Sequence, residues 1–284
     1  MRRFFGYPLV RLGLVALAAT ALLIAVVALQ TRLRAHGLGA SATVEIVLNW
    51  ALLAALTAIV IGVERVAAGR RPASIGMNPR GAGRAFGSGL ALGAALFSAV
   101  VLTLALSGCY RVLAVTPSWG VAAAALLLLP SAAIEELVFR GVLFRLVEET
   151  AGTWIALAVS AALFGAAHAF NPGATWVSSV AIALESGVLL GAAFVVTQNL
   201  WLPIGLHVAW NFCEGPLFGT YVSGRTLSAD LVTARVQGPA WLTGGSFGPE
   251  AGAAALTICT IAAIGLLLYA RRRALLVPLR RRHP

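Results

Sequence analysis

Eight long apolar runs, separated by short gaps that carry most of the charge, constrain this chain more than any other feature. An α-helix needs about 20 predominantly apolar residues to cross the hydrocarbon core of a bilayer. Only 11% of the residues are charged and 60% are hydrophobic, whereas about 25% of the residues in a soluble domain are charged. The pattern therefore excludes an ordinary soluble protein. It predicts an all-α, polytopic membrane protein with about eight transmembrane helices.

The apolar runs and the Gly, Pro and Asn residues between them set the expected helix boundaries. The fourth helix starts near residue 119 and continues past Arg145, and the seventh is short. We expect helices at about residues 8–30, 43–66, 87–106, from 119 onward, 153–170, 174–196, 200–212 and 253–270.

The basic residues indicate topology rather than nucleic-acid binding. All 21 are arginines, and they fall between the apolar runs instead of forming one patch, although the net charge is +11. Eight spans place both chain ends on one side of the membrane. If that side is cytoplasmic, it holds sixteen arginines against five on the other, which agrees with the positive-inside rule. We therefore expect a protein of the bacterial cytoplasmic membrane with cytoplasmic termini, and a basic tail near anionic lipid head groups.

Three charged side chains interrupt the fourth apolar run. A charge at the centre of a membrane helix costs about 2.5 to 3.5 kcal/mol, so Glu135, Glu136 and Arg140 require an explanation. Glu136 and Arg140 are four residues apart, which predicts a helical ion pair with an architectural role. The corresponding neighbour of Glu135 is Phe139. Glu135 therefore has no local partner and is a functional candidate.

Further polar groups lie in two other apolar helices. Phe164 and His168 share one helix face, and His207 and Asn211 share another. Each could simply form a hydrogen bond between helices. Four polar groups on three apolar helices instead favour a common site. A carboxylate can take a proton from water, and His and Asn can stabilise an oxyanion. Alternatively, Glu135, His168 and His207 could bind zinc with one open position, although no His-Glu-x-x-His motif is present.

The order of these motifs resembles the CPBP family of intramembrane proteases, also called the CAAX-protease, Abi or bacteriocin-processing family. The family pattern is Glu-Glu-x-x-x-Arg, then Phe-x-x-x-His, then His-x-x-x-Asn or Asp, each on a membrane helix. The matching residues here are Glu135, Glu136, Arg140, Phe164, His168, His207 and Asn211. The resemblance covers about residues 115–215.

The resemblance implies a CAAX-protease-like helical bundle that acts as a membrane-embedded endopeptidase. It implies that Glu135 and His168 activate water, that His207 and Asn211 bind the oxyanion, and that Glu136, Arg140 and Phe164 support the site. The family is often classed as metalloproteases. Water activated by glutamate, with no required cofactor, fits these residues at least as well, and zinc is the alternative. The implied partner is a protein or peptide substrate at the membrane, prenylated or leader-bearing.

The chain then divides into three stretches. Residues 1–114 contain three helices and a basic cytoplasmic loop, residues 115–215 form the protease core, and residues 216–284 contain an extracytoplasmic loop, the last helix and the basic tail. Two smaller expectations concern acids outside the motifs. Glu185 is expected to pair with an arginine, and Glu250 to cap the last helix.

Two functions from other classes use the same residues. Intramembrane acids and histidines also form proton relays in transporters, so a proton-coupled transporter is one alternative. The other is a catalytically silent immunity or binding protein that retains the scaffold. A transporter would show uptake driven by a pH gradient and no peptide cleavage, and a silent protein would tolerate Glu135→Gln in cells.

Overall fold

The computed structural model describes residues 6–37, 41–227 and 229–279, and these form a helical bundle. Residues 1–5, 38–40, 228 and 280–284 lie outside the described part of the chain, and so do the sequence-based predictions that concern them. The main helices are α1 (Pro8–Ala35), α2 (Ala42–Ala68), α3 (Ala82–Leu106), α4 (Trp119–Ala151), α5 (Thr153–Phe170), α6 (Trp176–Thr197), α7 (Trp201–Phe212, continued by a π-helical turn Cys213–Leu217) and α8 (Ala253–Arg272).

The structure confirms the predicted class, an all-α polytopic membrane bundle. Seven helices in the described part of the chain are long and apolar enough to cross a membrane. The remaining one is α7, whose α-helical part has 12 residues. The sequence already marked this helix as short.

A small sheet joins two connections that the sequence predicted as loops. Strands β1 (Tyr110–Val115) and β2 (Val232–Val236) pair antiparallel, with Tyr110 opposite Val236. The sheet packs over one end of α3, where Tyr110 donates a hydrogen bond to the Phe218 carbonyl at 2.9 Å. It thereby holds the α3–α4 connection against the long α7–α8 connection.

Close packing of α3 on α7 depends on glycine. A methyl group on Gly205 would overlap the Phe86 backbone, and one on Gly89 would overlap the Leu202 backbone. Small residues allow helix backbones to approach closely in membranes, where water provides no driving force for association. This contact determines where α7 lies in the bundle.

An ion-pair cluster closes one end of the bundle. Arg11 of α1 contacts Glu64 of α2 at 2.7 Å and Glu149 of α4 at 2.6 Å. Arg145 of α4 contacts both acids at 2.8 Å, and Arg70 also contacts Glu149. Because Arg11 and Glu64 are almost fully buried, these charges depend on one another for solvation. They fix α1 and α2 to the rest of the bundle.

Candidate active site

A cavity of about 560 Å³ lies at the end of the bundle opposite the ion-pair cluster. All four predicted catalytic residues line it: Glu135 from α4, His168 from α5, and His207 and Asn211 from α7. The structure therefore brings together polar groups that are up to 76 residues apart in the chain. Apolar helices surround them, so the cavity is a polar pocket inside a membrane bundle.

Glu135 projects into this cavity. Its side chain is about one-third exposed, and its Oε2 atom lies 3.9 Å from Nε2 of His207. That separation is too long for a hydrogen bond. The same oxygen has no hydrogen-bond partner among the described residues. Because that oxygen is buried, a water molecule or a substrate reaches the carboxylate through the exposed part of the side chain.

Glu136 is held differently, although it is the next residue. Its Oε1 atom accepts a hydrogen bond from Nη1 of Arg140 at 2.8 Å, and both side chains are fully buried. The predicted ion pair is thus confirmed. The same oxygen also accepts a hydrogen bond from Nδ1 of His207 at 2.9 Å. Glu136 therefore orients a cavity histidine, which the sequence did not indicate.

Arg140 links this group to α6 and α5. Its Nη2 atom donates to the Gly187 carbonyl at 3.1 Å, and its guanidinium lies 4.6 Å from the centre of the Phe164 ring. A guanidinium over an aromatic face is favourable, because the ring's quadrupole attracts the cation. Arg140 thus connects Glu136 to the backbone of α6 and to the Phe164 ring of α5.

Three widened, π-helical segments border the site. They occupy Leu137–Phe144 in α4, Ala183–Gly187 in α6 and Cys213–Leu217 after α7. π-Helical segments are rare and frequently lie at functional sites. The first and third begin two residues after Glu135 and Asn211, and the second contains Ser186; all three of these polar residues line the cavity. They set the rotation of these helices around the pocket.

His168 lies where α5 tightens into its last, 3₁₀ turn. Its Nδ1 atom is 2.8 Å from the Phe164 carbonyl oxygen. A carbonyl can only accept, so Nδ1 carries the proton, and Nε2 of the neutral ring is a free acceptor. The Phe164 ring packs against His168 with a 4.6 Å centroid separation and approaches His207 edge-on at 6.1 Å. Phe164 therefore braces both histidines.

Asn211 lies one turn beyond His207 on α7 and is only partly buried. Both side chains line the cavity, as the i, i+4 spacing predicted. Between them they present an imidazole and an amide to the same space. These are hydrogen-bond donors of the kind that can stabilise a developing oxyanion.

Comparison with known families adds a second line of support for this site. The family model of type II CAAX prenyl endopeptidase Rce1-like proteins matches residues 117–213. The resemblance to the CPBP family is confirmed over these residues. The Rce1-like segment runs from the start of α4 into the π-helical turn after α7 and contains every motif residue. Searches of the curated proteins and of the solved structures find no match.

The Rce1-like segment does not gather a metal site. Zinc would need donor atoms of Glu135, His168 and His207 around one point at about 2 Å. Across residues 6–37, 41–227 and 229–279, no group of three or more His, Cys, Asp or Glu residues could hold a metal ion. As arranged, Glu135, His168 and His207 do not form such a group.

The cavity also contains residues from outside the Rce1-like segment, and sequence reasoning missed them as site residues. Arg34 of α1 and Glu45 and Asn49 of α2 line it, as do Arg225 and Glu250 from the α7–α8 connection. No spacing in the sequence links these positions to the motifs. Their one common signal is a polar residue near the end of an apolar run.

Two predictions about acids outside the motifs are wrong. Glu185 accepts a hydrogen bond from Ser186 at 2.6 Å and forms no ion pair with any described residue, because Arg140 contacts Glu136 and backbone carbonyls instead. Glu250 does not cap α8, whose N-terminal residue Gly252 has no side-chain cap. Glu250 is buried beside the cavity, and burial raises its pKa.

Proposed function

We propose that this protein is an intramembrane endopeptidase that hydrolyses a peptide bond close to the membrane. The convergence of Glu135, His168, His207 and Asn211 in one cavity is the observation that carries this proposal. The match of the surrounding segment to a protease family supports hydrolysis over proton transport or a silent binding role. The proposed substrate is a protein or peptide segment presented at the membrane, either prenylated or bearing a leader.

Glu135 is the general base in this proposal. Its partly exposed carboxylate takes a proton from a water molecule, and His168 positions that water through its Nε2 atom. The resulting hydroxide attacks the carbonyl carbon of the scissile peptide bond. The C–N bond then breaks, and Glu135 returns the proton to the leaving amine. One water molecule is consumed, and a carboxylate and a protonated amine are formed.

His207 and Asn211 bind the oxyanion of the tetrahedral intermediate. Nδ1 of His207 already donates to Glu136, so donation to the oxyanion must come from Nε2. A ring that donates from both nitrogens carries a positive charge. This charge is positioned to stabilise the oxyanion, and donors held in place in this way are worth about 2.7 to 4 kcal/mol each. Glu136 is a positioning residue in this scheme, because it holds Nδ1 of His207, and Arg140 balances its negative charge.

The proposed step uses no metal ion and no cofactor. It relies on a carboxylate that accepts the proton and on donors that receive the charge, all contributed by the chain. This scheme is consistent with a donor set that does not gather around a single point.

This proposal can be tested by identifying the N-terminal and C-terminal peptides of all proteins in two strains. One strain contains the wild-type protein, and the other contains the Glu135→Gln variant. The substitution keeps the shape of the side chain and removes its ability to accept a proton. We expect at least one new terminus to be present in the wild type and absent in the variant. Glu45→Gln is the matched control, because Glu45 lines the same cavity outside the motifs, and it should retain the terminus. Identical terminal peptides in wild-type and Glu135→Gln cells, at equal protein levels, would contradict the proposal.

A further inference from the structure

The cavity is built from one end of the bundle only. Its lining includes Arg34 in the last turn of α1, Glu45 in the first turn of α2, and His168 in the last turn of α5. Arg225 and Glu250 come from the α7–α8 connection. Because successive helices run in opposite directions, all these points lie on the same side. The side chains of Arg34 and Arg225 are exposed, so the cavity opens on that side.

The first and last described residues of the chain lie at the end of the bundle opposite the cavity. Arg11, in the first turn of α1, contacts Glu149 in the last turn of α4. Val277 exchanges backbone and side-chain hydrogen bonds with Thr153 at the start of α5, at 3.0 and 2.8 Å. The start of α7 also lies there, since Trp201 donates to the Asn78 carbonyl. The cavity and the chain ends are therefore on opposite faces of the bundle.

The arginines orient the bundle in the membrane. Leaving aside Arg140, which lies beside the cavity, ten described arginines lie on the side of the chain ends and five on the side of the cavity. The ten are Arg11, Arg65, Arg70, Arg71, Arg80, Arg84, Arg145, Arg271, Arg272 and Arg273, and the five are Arg32, Arg34, Arg111, Arg225 and Arg235. An excess of basic residues in short connections marks the cytoplasmic side. This asymmetry places the chain ends in the cytoplasm and the cavity opening on the extracytoplasmic face.

Aromatic residues surround the cavity end. Trp119 begins α4, Phe170 ends α5, Trp176 begins α6 and Trp241 follows β2, and all four are exposed. Exposed tryptophans are typical of the boundary between membrane and water. The opening therefore lies close to the extracytoplasmic lipid surface, where a membrane-anchored or exported chain passes.

We propose that the active-site cavity opens to the extracytoplasmic side, and that its substrate is a polypeptide segment exposed there. This inference rests on the proposed protease function and narrows its substrate class. An exported or membrane-anchored protein, cut in a segment just outside the lipid, fits this arrangement. A prenylated C-terminus displayed in the cytoplasm faces the closed, ion-paired end of the bundle.

Labelling of single introduced cysteines with a membrane-impermeant maleimide tests the orientation. Thr233→Cys in β2 lies on the cavity side, and Ala73→Cys in the turn after α2 lies on the side of the chain ends; both positions are exposed. Neither substitution removes an arginine, so the charge pattern that sets topology is unchanged. The unmodified chain measures the background, because its three cysteines are buried.

We expect Thr233→Cys to be labelled in intact cells to the same extent as in permeabilised cells. Ala73→Cys should stay at background until the membrane is opened. The reverse pattern, or equal labelling of both positions in intact cells, would overturn the inference. This outcome is separate from the protease proposal, since labelling reports orientation even if Glu135→Gln leaves every terminal peptide unchanged.

Discussion

At the scale of single residues, hydrogen bonds from Nδ1 fix the two histidines of the cavity. His168 donates to the Phe164 carbonyl, and His207 donates to Glu136. Each bond fixes the orientation of its ring. Such bonds leave one nitrogen of each ring available for chemistry. The acceptor, a carbonyl for His168 and a carboxylate for His207, also separates their proposed roles: His168 accepts a hydrogen bond from the water, and His207 is a charged donor.

His168→Ala is expected to lower kcat by about 100-fold to 10,000-fold, the usual contribution of a positioned acid–base group. KM should change little, because His168 acts on water rather than on the substrate. Phe170→Ala, two residues further along and almost fully exposed, is the control and should keep normal kinetics. Steady-state rates of the purified protein measure both effects. A His168→Ala variant within threefold of the wild type would remove this residue from the mechanism.

The motif residues could be predicted from sequence because charged or imidazole side chains are rare in apolar helices. Their partners could not be predicted in the same way. That Arg140 and His207 share one Glu136 oxygen depends on helix rotation and on side-chain rotamers. Glu136 and His207 are 71 positions apart in the chain, and this spacing encodes neither the helix rotation nor the rotamers.

At the scale of elements, α7 carries two proposed site residues and is located by its packing on α3. Gly205 lies two residues before His207 and faces the Phe86 backbone without space for a methyl group. A larger residue must move one helix away from the other. The glycine contact thus connects helix packing to the position of His207.

Gly205→Ala is expected to reduce the free energy of unfolding by about 1 to 3 kcal/mol, the typical cost of overpacking. It should also lower kcat, because His207 moves with α7. Gly265→Ala in α8 is the matched control, since no atom lies within 4 Å of the added methyl group. Thermal unfolding in detergent and the cleavage rate measure the two effects. Equal stability of the two variants would show that the α3–α7 contact does not position α7.

Helix positions were predictable to within a few residues, because long apolar runs in a membrane protein allow few alternatives. The second and fifth helices follow the sequence prediction closely, and the third ends where predicted but begins earlier, at Ala82. The π-helical segments and the β1–β2 pairing were not predicted. Both depend on contacts between distant segments: pairing joins residues more than 110 apart, and hydropathy does not distinguish a π turn from an α turn.

At the scale of the whole molecule, the ion-pair cluster attaches α1 and α2 to the helices that carry the motifs. Arg11, Glu64 and Arg145 are buried at the end away from the cavity. Removing one acid leaves the buried arginines charged and short of a partner, which is the costly way to break a buried ion pair. The first two helices also line the cavity, so this distant cluster affects the shape of the site.

Glu64→Ala is expected to reduce the free energy of unfolding by about 3 to 5 kcal/mol, because it leaves Arg11 and Arg145 without one of their acids. Arg65→Ala changes the next residue, which is exposed, and should stay close to the wild type. Denaturation in detergent compares the two variants. If Glu64→Ala is as stable as Arg65→Ala, the cluster does not hold the first two helices in place.

The most direct test of the account is the cleavage rate of purified Glu135→Gln on a substrate identified from the terminal peptides. The account predicts folded protein whose kcat has fallen by at least about 100-fold, with KM for that substrate unchanged within a few-fold. A Glu135→Gln protein that cleaves at the wild-type rate would contradict the central claim that this carboxylate activates the water.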